Sequence, residues 1–309
     1  MTYDLVIVGS SAAGVSAGIY AARRNLNLKV ITVDTGGEVA QSGEIANYPG
    51  FVKTDGVELS QKFTEHLKSY NIIPETGVWV EKIEKKGNVF TIIAKKGDGI
   101  AEYQAKTIIL TTGVHPRHLN VPGEEEFRGK GVTYCTVCDG PLFRGKTTVT
   151  IGGGNSALES AIMMAALAKK VYVLNINPEM KGEQVLIDNL KKQSNVEIIG
   201  SAKTTKIVGE NVVKSVEYES KIDGVKHVID VQGAMIHIGM IPNSSMVPPE
   251  VEKNKVGEIK VNTRCETTLP GFFAAGDVTD VPYKQIAIST GQGVTAALAA
   301  VDYLNRMKA

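Results

Sequence analysis

The most reactive feature of the sequence is a pair of cysteines in the segment Cys135-Thr136-Val137-Cys138. At this spacing one thiolate can attack a disulfide while the other resolves the mixed disulfide. A structural zinc site is the alternative, but it needs a second pair of ligands. Neither Cys265 nor the five scattered histidines supply such a pair at suitable spacing. We therefore expect a redox-active disulfide bond and no metal.

Asp139 directly follows the second cysteine and is a candidate for moving the proton that thiol chemistry requires. An aspartate at this point can also cap a helix, and the sequence leaves both roles open. The third cysteine, Cys265, follows Arg264 in a predicted strand. We expect its side chain to pack in the buried core rather than to take part in the reaction.

Two glycine-rich segments stand between an apolar strand pattern and a helical pattern, and the helical pattern after the first segment covers residues 15–25. The first runs from Gly9 to Gly14, with Ser11 in place of the second glycine of the dinucleotide fingerprint and Ala12 after it. Asp34 lies about twenty residues beyond Gly14, where such folds place the acid that binds a ribose hydroxyl. The alternative is a tight strand-to-helix turn that holds no ligand.

The second segment, Gly152-Gly153-Gly154-Asn155-Ser156-Ala157, fits the G-x-G-x-x-A form of the fingerprint. The strand that follows ends at Asn175, where a carboxylate would favour a free ribose 2′-hydroxyl. The sequence has no arginine between Gly145 and Arg264 to bind a 2′-phosphate, although Lys181 is a weak substitute. The pattern favours NADH over NADPH, with Asn175 beside the nucleotide.

Two such modules predict an α/β fold with two Rossmann-like dinucleotide-binding domains of three-layer ββα architecture, the second inserted into the first. Strand patterns with turns follow each module, at residues 78–94 and 102–110 after the first and from Val196 to Ile238 after the second. We expect further strands at residues 258–262 and 271–278. We expect the first dinucleotide-binding domain to comprise residues 1–115 and 242–309. The NAD(P)H-binding domain with the CxxC motif would span residues 116–241, and the chain would cross between the domains near Pro116 and Pro242.

The bulk composition excludes several classes of protein. The 309 residues are 43% hydrophobic and 22% charged, which is typical of a compact globular chain. The formal net charge is +1 and basic residues are scattered, so we expect no nucleic-acid partner. No basic leader precedes the first strand, and no apolar run reaches the roughly 18 to 20 residues of a membrane span. These observations predict a cytoplasmic protein.

Beyond the two fingerprints, several segments resemble one family nearly from end to end. The chain resembles a low-molecular-weight thioredoxin reductase, and more closely the reductase portion of the alkyl hydroperoxide reductase flavoprotein subunit. The further matching segments are Ala46-Asn47-Tyr48-Pro49-Gly50, Thr111-Thr112-Gly113, Tyr134 to Phe143, Ala274-Ala275-Gly276-Asp277-Val278 and Tyr283-Lys284-Gln285-Ile286. Pro178-Glu179-Met180-Lys181 and Cys265-Glu266-Thr267 are shared with the peroxide-reductase branch, where NADH is the usual donor.

The resemblance implies that residues 1–115 and 242–309 form an FAD-binding domain, with Asp277 on the ribityl chain and with Asn47 and Gln285 near the flavin. It implies that Cys138 faces the flavin, that Cys135 attacks the partner, and that the protein is a homodimer. The matched segments add five further expected cofactor contacts: Thr112, Gly113, Gly276, Lys284 and Ile286.

The first fingerprint begins at residue 9, so we expect no N-terminal double thioredoxin-like region. The expected acceptor is a separate thioredoxin- or glutaredoxin-like protein that could feed a peroxiredoxin. Ser11 and Ala12 replace the family's glycine and proline, Glu38 replaces a glutamine near the flavin, and Asn175 replaces a carboxylate. The donor therefore stays open among NADH, NADPH and ferredoxin. A cysteine-independent flavin oxidase or diaphorase and a redox-sensing binding module are the alternative functions.

Overall fold

The structure is a computed structural model that describes residues 2–42 and 44–308. It contains two compact units. The first unit comprises residues 2–41, 45–115 and 241–308. The second comprises residues 42, 44 and 116–240.

The first part of the chain begins with the expected βαβ arrangement. Helix α1 starts at Ala12 and ends at Ala22, three residues earlier than the predicted span of 15–25. It ends early because Asn25 takes a left-handed backbone conformation, with φ of 55°, which breaks the helical path. The elements up to the first crossing are β1 (Thr2–Val8), α1 (Ala12–Ala22), β2 (Leu28–Ile31), α2 (Gly37–Ala40), β3 (Glu44–Ile45), β4 (Thr54–Asp55), α3 (Gly56–Lys68), β5 (Val78–Lys86), β6 (Val89–Lys96), β7 (Gly99–Leu110) and β8 (Val114–Pro116).

The second unit repeats the pattern and adds the cysteine motif before it. The glycine-rich segment lies between β10 and α5, and Asn175 directly follows β11. The elements are β9 (Val132–Thr133), α4 (Thr136–Asp139), a 3-10 turn (Gly140–Phe143), β10 (Thr147–Ile151), α5 (Asn155–Leu167), β11 (Lys170–Leu174), α6 (Gln184–Lys191), β12 (Val196–Ile199), β13 (Ala202–Gly209), β14 (Val213–Ser220), β15 (Lys226–Asp230) and β16 (Gly233–Ile236).

The last part of the chain holds β17 (Met240–Pro242), β18 (Phe272–Ala274) and α7 (Ile286–Lys308). Two predictions for this part are wrong in detail. Around residues 258–262 only isolated bridges form, such as Ile259 with Thr279, rather than a strand. Cys265 lies in a turn with φ of 59°, not in a strand, although it is buried as expected.

Strand β7 belongs to two layers of the first unit. Along one side it pairs with β1 in parallel. Along the other side, its first half pairs with β6 in the antiparallel meander β5-β6-β7, and its last residues pair in parallel with β18. The second unit separates the same layers into a parallel sheet, β12-β11-β10-β16-β9, and an antiparallel sheet, β13-β14-β15. These two Rossmann-like sheets with their helices confirm the predicted α/β fold class.

Each unit has its own apolar core between the layers. In the first unit, Ile7 and Ile109 face α1 and α7 on one side of the parallel sheet, and Phe90 and Phe272 fill the other side. Helix α7 approaches α1 closely at Gly293, where a Cβ atom would collide with the Ala13 carbonyl. No helix in residues 2–42 and 44–308 is both long enough and apolar enough to cross a membrane.

Candidate active site

The cysteine pair lies where β9 passes into the short helix α4. Cys135 immediately precedes α4, and its sulfur forms a disulfide with Cys138 across a Cα–Cα distance of 5.3 Å. The backbone N–H of Cys138 donates to the Cys135 sulfur at 3.3 Å. The disulfide predicted from the spacing is thereby confirmed. An amide that donates to Cys135 would also stabilise its thiolate after reduction.

Asp139 is the last residue of α4, and its carboxylate is directed inward. The Thr133 hydroxyl donates to Oδ2 at 2.5 Å, and Oδ1 is buried without a hydrogen-bond partner among the described residues. The side chain makes no capping hydrogen bond to the following 3-10 turn, so the alternative role of helix cap is not the one it performs. Burial raises the pKa of Asp139, partly offset by the Thr133 hydrogen bond. A carboxyl group held this way can take up a proton above its usual pH range.

The first fingerprint forms a tight turn in the first unit that admits only glycine at two positions. Gly9 has φ of 112°, and a Cβ atom at Gly14 would collide with the Gly9 carbonyl. The Ser11 hydroxyl donates to the Gly36 carbonyl at 2.6 Å. Ser10 is buried, and its hydroxyl has no partner among the described residues. The turn therefore leaves the backbone at the start of α1 accessible to an anion. A bound pyrophosphate requires such access.

Several predicted cofactor residues come together around this turn. Gly276 packs beside α1, because a Cβ atom there would lie 3.2 Å from the Ala13 Cβ. The neighbouring Asp277 accepts a hydrogen bond from Ser289 at 2.9 Å, and burial raises the pKa of its carboxyl group. Asn47 donates to the side-chain oxygen of Gln285 at 3.3 Å, which brings two residues distant in sequence into contact.

The other predicted residues of this unit have contacts of their own. Asp34 is exposed and accepts the Gly37 N–H at 3.2 Å. Lys284 pairs with Glu258 at 2.9 Å, and Ile286 packs against the small cluster formed by Val39, Ile45 and Leu59.

Asn243 organises the turn after β7, a role that sequence reasoning missed. Its side-chain amide donates to the Thr112 carbonyl at 2.8 Å, and its backbone carbonyl accepts the Thr112 hydroxyl at 2.6 Å. Its backbone N–H donates to the Gly113 carbonyl, and its side-chain oxygen contacts His115 at 2.8 Å. Thr112 and Gly113 are thus held by a residue that comes after the second crossing, near Pro242, in the sequence.

The second fingerprint leaves open space at one glycine only. A Cβ atom at Gly152 would meet the His237 carbonyl, and one at Gly153 would meet the Asn175 side chain. Gly154, which precedes α5, has no atom within 4 Å of an added Cβ. The backbone at Gly154 is therefore the open approach to the N-terminus of α5, as expected for a pyrophosphate contact.

The polar side chains of this fingerprint are bonded within the protein. Asn155 exchanges two hydrogen bonds with Glu183, at 2.8 and 2.9 Å, and the Ser156 hydroxyl lies 2.8 Å from the His237 ring. Asn175 is 1% exposed and donates to the Glu179 carbonyl at 2.7 Å. In this conformation Asn175 supports the loop around residues 175–181 and presents almost no surface to a ligand.

No group of three or more His, Cys, Asp or Glu side chains capable of holding a metal ion occurs in residues 2–42 and 44–308. The Cys265 thiol is buried in the core between α1 and α7, and burial raises its pKa to about 11. A thiol with that pKa is protonated at neutral pH and is a poor nucleophile.

Comparison with known proteins places this geometry in a family. The family model described as pyridine nucleotide-disulphide oxidoreductase matches residues 3–296. The chain is 42% identical over 99% of its length to an alkyl hydroperoxide reductase subunit of Escherichia coli (strain K12). It is 41% identical over 98% of its length to a protein of Bacillus subtilis (strain 168) named NADH dehydrogenase. The matches span 59% of the length of each relative.

The fold also agrees with a solved structure. Thioredoxin reductase from Streptococcus pyogenes MGAS5005 is 35% identical and superimposes with a TM-score of 0.88, with 99% of both chains covered. These matches confirm the resemblance inferred from the motifs. The chain belongs to the pyridine nucleotide-disulphide oxidoreductase family, as a flavoprotein disulfide oxidoreductase of the thioredoxin reductase type.

Proposed function

We propose that the protein reduces a disulfide in a small thioredoxin- or glutaredoxin-like protein with electrons from NADH, which reach Cys135 and Cys138 through FAD. The observation that carries this proposal is the Cys135–Cys138 disulfide, followed directly by Asp139, whose buried Oδ1 has no hydrogen-bond partner in the part of the chain that the structure describes. The overall balance is two electrons and two protons for each disulfide opened. The proposal assigns the first unit to FAD and the second to the nicotinamide nucleotide.

The residues of the first unit fit FAD. The turn from Gly9 to Gly14 offers backbone to the pyrophosphate, and the partly buried Asp277 carboxylate accepts hydroxyl hydrogen bonds such as those of a ribityl chain. Asn47 and Gln285 would lie beside the ring, and Asp34 would bind the adenosine ribose. Bound FAD supplies the means to accept a hydride and to release two electrons to a disulfide.

Once reduced, the two cysteines have different roles. Cys135 attacks the partner disulfide as a thiolate, which the Cys138 amide stabilises, and one partner sulfur leaves. Cys138 then attacks the mixed disulfide and releases the second partner sulfur. Asp139 takes a proton from one thiol and returns it to the leaving thiolate. The assignment of Cys135 as the attacking thiol rests on the family resemblance.

The exposed surface beside the cysteines suits a protein acceptor. Val137 lies between them and is 49% exposed, and Leu142, three residues after Asp139, is 50% exposed. Apolar side chains that flank a redox site offer contact area to a protein, whereas a small-molecule disulfide would need a pocket. A thioredoxin-like acceptor that in turn reduces a peroxiredoxin is consistent with the alkyl hydroperoxide reductase relative. We further propose that the protein acts as a homodimer.

NADH is the proposed donor because the site offers little for a 2′-phosphate. The sequence has no arginine between Gly145 and Arg264, and the exposed Lys181 is the first cation after the end of β11. The relative from Bacillus subtilis carries NADH in its name. NADPH and reduced ferredoxin are the alternatives. An anaerobic titration with each donor, followed by flavin absorbance, tests the choice: flavin bleaching by ferredoxin alone would refute the nucleotide donor.

A pair of serine variants tests the disulfide step. We expect Cys138→Ser to lose disulfide reductase activity with a thioredoxin-like acceptor, while flavin reduction by NADH continues. Cys265→Ser, the matched control at the buried cysteine, should retain the activity. Full disulfide reduction by Cys138→Ser would instead refute the disulfide step and favour a flavin enzyme that works without the cysteine pair. Bound NADH that never bleaches the flavin would indicate a redox-sensing module.

A further inference from the structure

A continuous chain of hydrogen bonds crosses the second unit from the glycine-rich loop to the cysteine helix. The Ser156 hydroxyl lies 2.8 Å from Nδ1 of His237, and Nε2 of the same ring lies 2.8 Å from the Thr136 hydroxyl. The Thr136 hydroxyl also lies 2.6 Å from the hydroxyl of Ser160. We name this set the His237 relay: Ser156, His237, Thr136 and Ser160.

The relay joins the two functional segments of this unit. Ser156 belongs to the fingerprint and is exposed in the first turn of α5. Thr136 lies between the two cysteines, begins α4 and is 3% exposed. His237 directly follows β16, and its backbone N–H donates to the Ile151 carbonyl at 2.8 Å, which fixes the ring beside the fingerprint. One end of the relay is therefore accessible to a ligand and the other is buried under the disulfide.

The histidine ring allows the hydrogen bonds of the relay to run in either of two directions, depending on which ring nitrogen carries the proton. Burial lowers the pKa of His237 to about 4, so at neutral pH the ring is uncharged and carries a single N–H. When Nε2 carries the proton, it donates to Thr136, and Ser156 can donate to Nδ1. When Nδ1 carries the proton, it donates to Ser156, and Thr136 donates to Nε2. The hydroxyls can reverse with the ring because each is both a donor and an acceptor.

We propose that His237 is a positioning residue that couples an acceptor oxygen of a dinucleotide, bound at Gly152 to Ala157, to the hydrogen bonding of Thr136 at the start of the cysteine helix. This inference rests on the proposed nucleotide site. A phosphate or ribose oxygen that accepts the Ser156 proton leaves the Ser156 oxygen to accept from Nδ1–H. The ring proton then leaves Nε2 to water while water supplies one to Nδ1, and Thr136 turns to donate to Nε2.

The reversal reaches the cysteines through α4. Thr136 anchors the first residue of this helix, and two residues later the Cys138 N–H donates to the Cys135 sulfur. A change in the anchoring hydrogen bond alters how firmly that amide is held against the sulfur. We expect bound nucleotide to change the alkylation rate of the reduced cysteines by about two- to tenfold, the usual worth of one hydrogen bond.

The direct test is the tautomer of His237 in the FAD-bound, oxidised protein labelled with ¹⁵N-histidine. ADP-ribose serves as a probe because it carries the pyrophosphate and cannot reduce the flavin. We expect ADP-ribose to shift His237 toward the Nδ1–H form, and His237→Phe identifies its signals by their loss. Ser156→Ala, a change at an exposed residue, should abolish the shift. An unchanged tautomer with ADP-ribose bound would overturn the proposal.

Alkylation by iodoacetamide of the dithiothreitol-reduced protein provides the second measurement. The nucleotide effect should disappear in Thr136→Val and His237→Phe. It should persist in Thr150→Val, the matched control, because the Thr150 hydroxyl is buried in β10 without a partner among the described residues. An effect of the same size in all three variants would show that the nucleotide acts on the cysteines by another route.

Calorimetric titration with ADP-ribose separates this inference from the proposed function. Binding to the wild-type protein without a tautomer or alkylation response refutes the relay and leaves the nucleotide site intact. Absence of ADP-ribose binding refutes both.

Discussion

Thr133 and Asp139 form a short hydrogen bond, 2.5 Å between the threonine hydroxyl and Oδ2, at the two ends of the cysteine segment. The same hydroxyl accepts the Cys135 N–H at 3.1 Å. One small side chain thus orients both the proposed proton carrier and the proposed attacking cysteine.

The first prediction concerns the free energy of unfolding and its dependence on pH. Burial raises the pKa of Asp139 in the folded protein, so the ionised carboxylate opposes folding above that pKa. We expect Asp139→Asn to raise the free energy of unfolding at pH 7 by about 1 kcal/mol, since the variant buries no charge. The gain should fade as the pH falls through the raised pKa toward 3.8, because wild-type Asp139 then becomes neutral.

The same variant should lose activity. Without a group that can accept a proton, we expect disulfide reduction to slow by about 10²-fold or more, while the rate of flavin reduction by NADH is unaffected. Urea unfolding at several pH values and stopped-flow kinetics measure the two effects. A variant that is less stable at pH 7, or fully active, would contradict the role of the buried carboxyl group.

A second prediction tests the first fingerprint. Gly14→Ala places a Cβ atom against the Gly9 carbonyl, so the turn must open and the expected FAD site is lost. We expect purified Gly14→Ala to contain less than about a tenth of the wild-type flavin, measured by absorbance, because misplaced backbone donors lose their charge-assisted hydrogen bonds. Gly99→Ala is a suitable control, because its nearest atom would be 3.8 Å away. Equal flavin content in the two variants would place FAD elsewhere.

The third prediction uses the open glycine of the second unit. Gly154→Ala has room for its Cβ atom in the protein, so we expect the melting temperature and flavin content to be unchanged. The added methyl group occupies the approach to the α5 N-terminus, and the KM for NADH should rise by about tenfold or more. An unchanged KM would show that the pyrophosphate does not approach at Gly154.

The fourth prediction concerns Asn175. Family resemblance suggests that a carboxylate here would improve NADH binding, but the side-chain amide donates to the Glu179 carbonyl in the interior. Asn175→Asp replaces that donor by an acceptor, so we expect a loss of about 1 to 3 kcal/mol in the free energy of unfolding. Denaturant unfolding and the KM for NADH test whether Asn175 supports the interior or contacts the nucleotide. A stable variant with a lower KM would mean that Asn175 faces the nucleotide.

Local patterns in the sequence were enough to predict both βαβ starts, the disulfide and the α/β class. Each depends on residues close together in the chain, such as Gly152 to Ala157. The segment around residues 258–262 has the composition of a strand, yet pairing there is limited to isolated bridges, which no local pattern reveals. The strand predicted at Cys265 was wrong for a related reason: the left-handed backbone conformation of this residue depends on the turn around it.

The supporting residues of the site were beyond prediction because their contacts are distant in sequence. His237 contacts Thr136 across 101 positions, and Asn243 contacts Thr112 across 131. A histidine or an asparagine just after a strand carries no signal of its partner. The side chains predicted at the fingerprints were found at the expected turns, but their hydrogen bonds to Glu183, His237 and Glu179 were not foreseen.

The shared strand β7 has a consequence for the order in which the protein folds during synthesis. Its parallel neighbour β18 is translated only after every strand of the second unit, from β9 to β16, has emerged. The second unit can therefore close its own core on the ribosome while the first unit still lacks a strand and its longest helix. Until then, the outer edge of residues 108–110 is left unpaired, and a nascent chain stalled before residue 272 would be vulnerable to aggregation there.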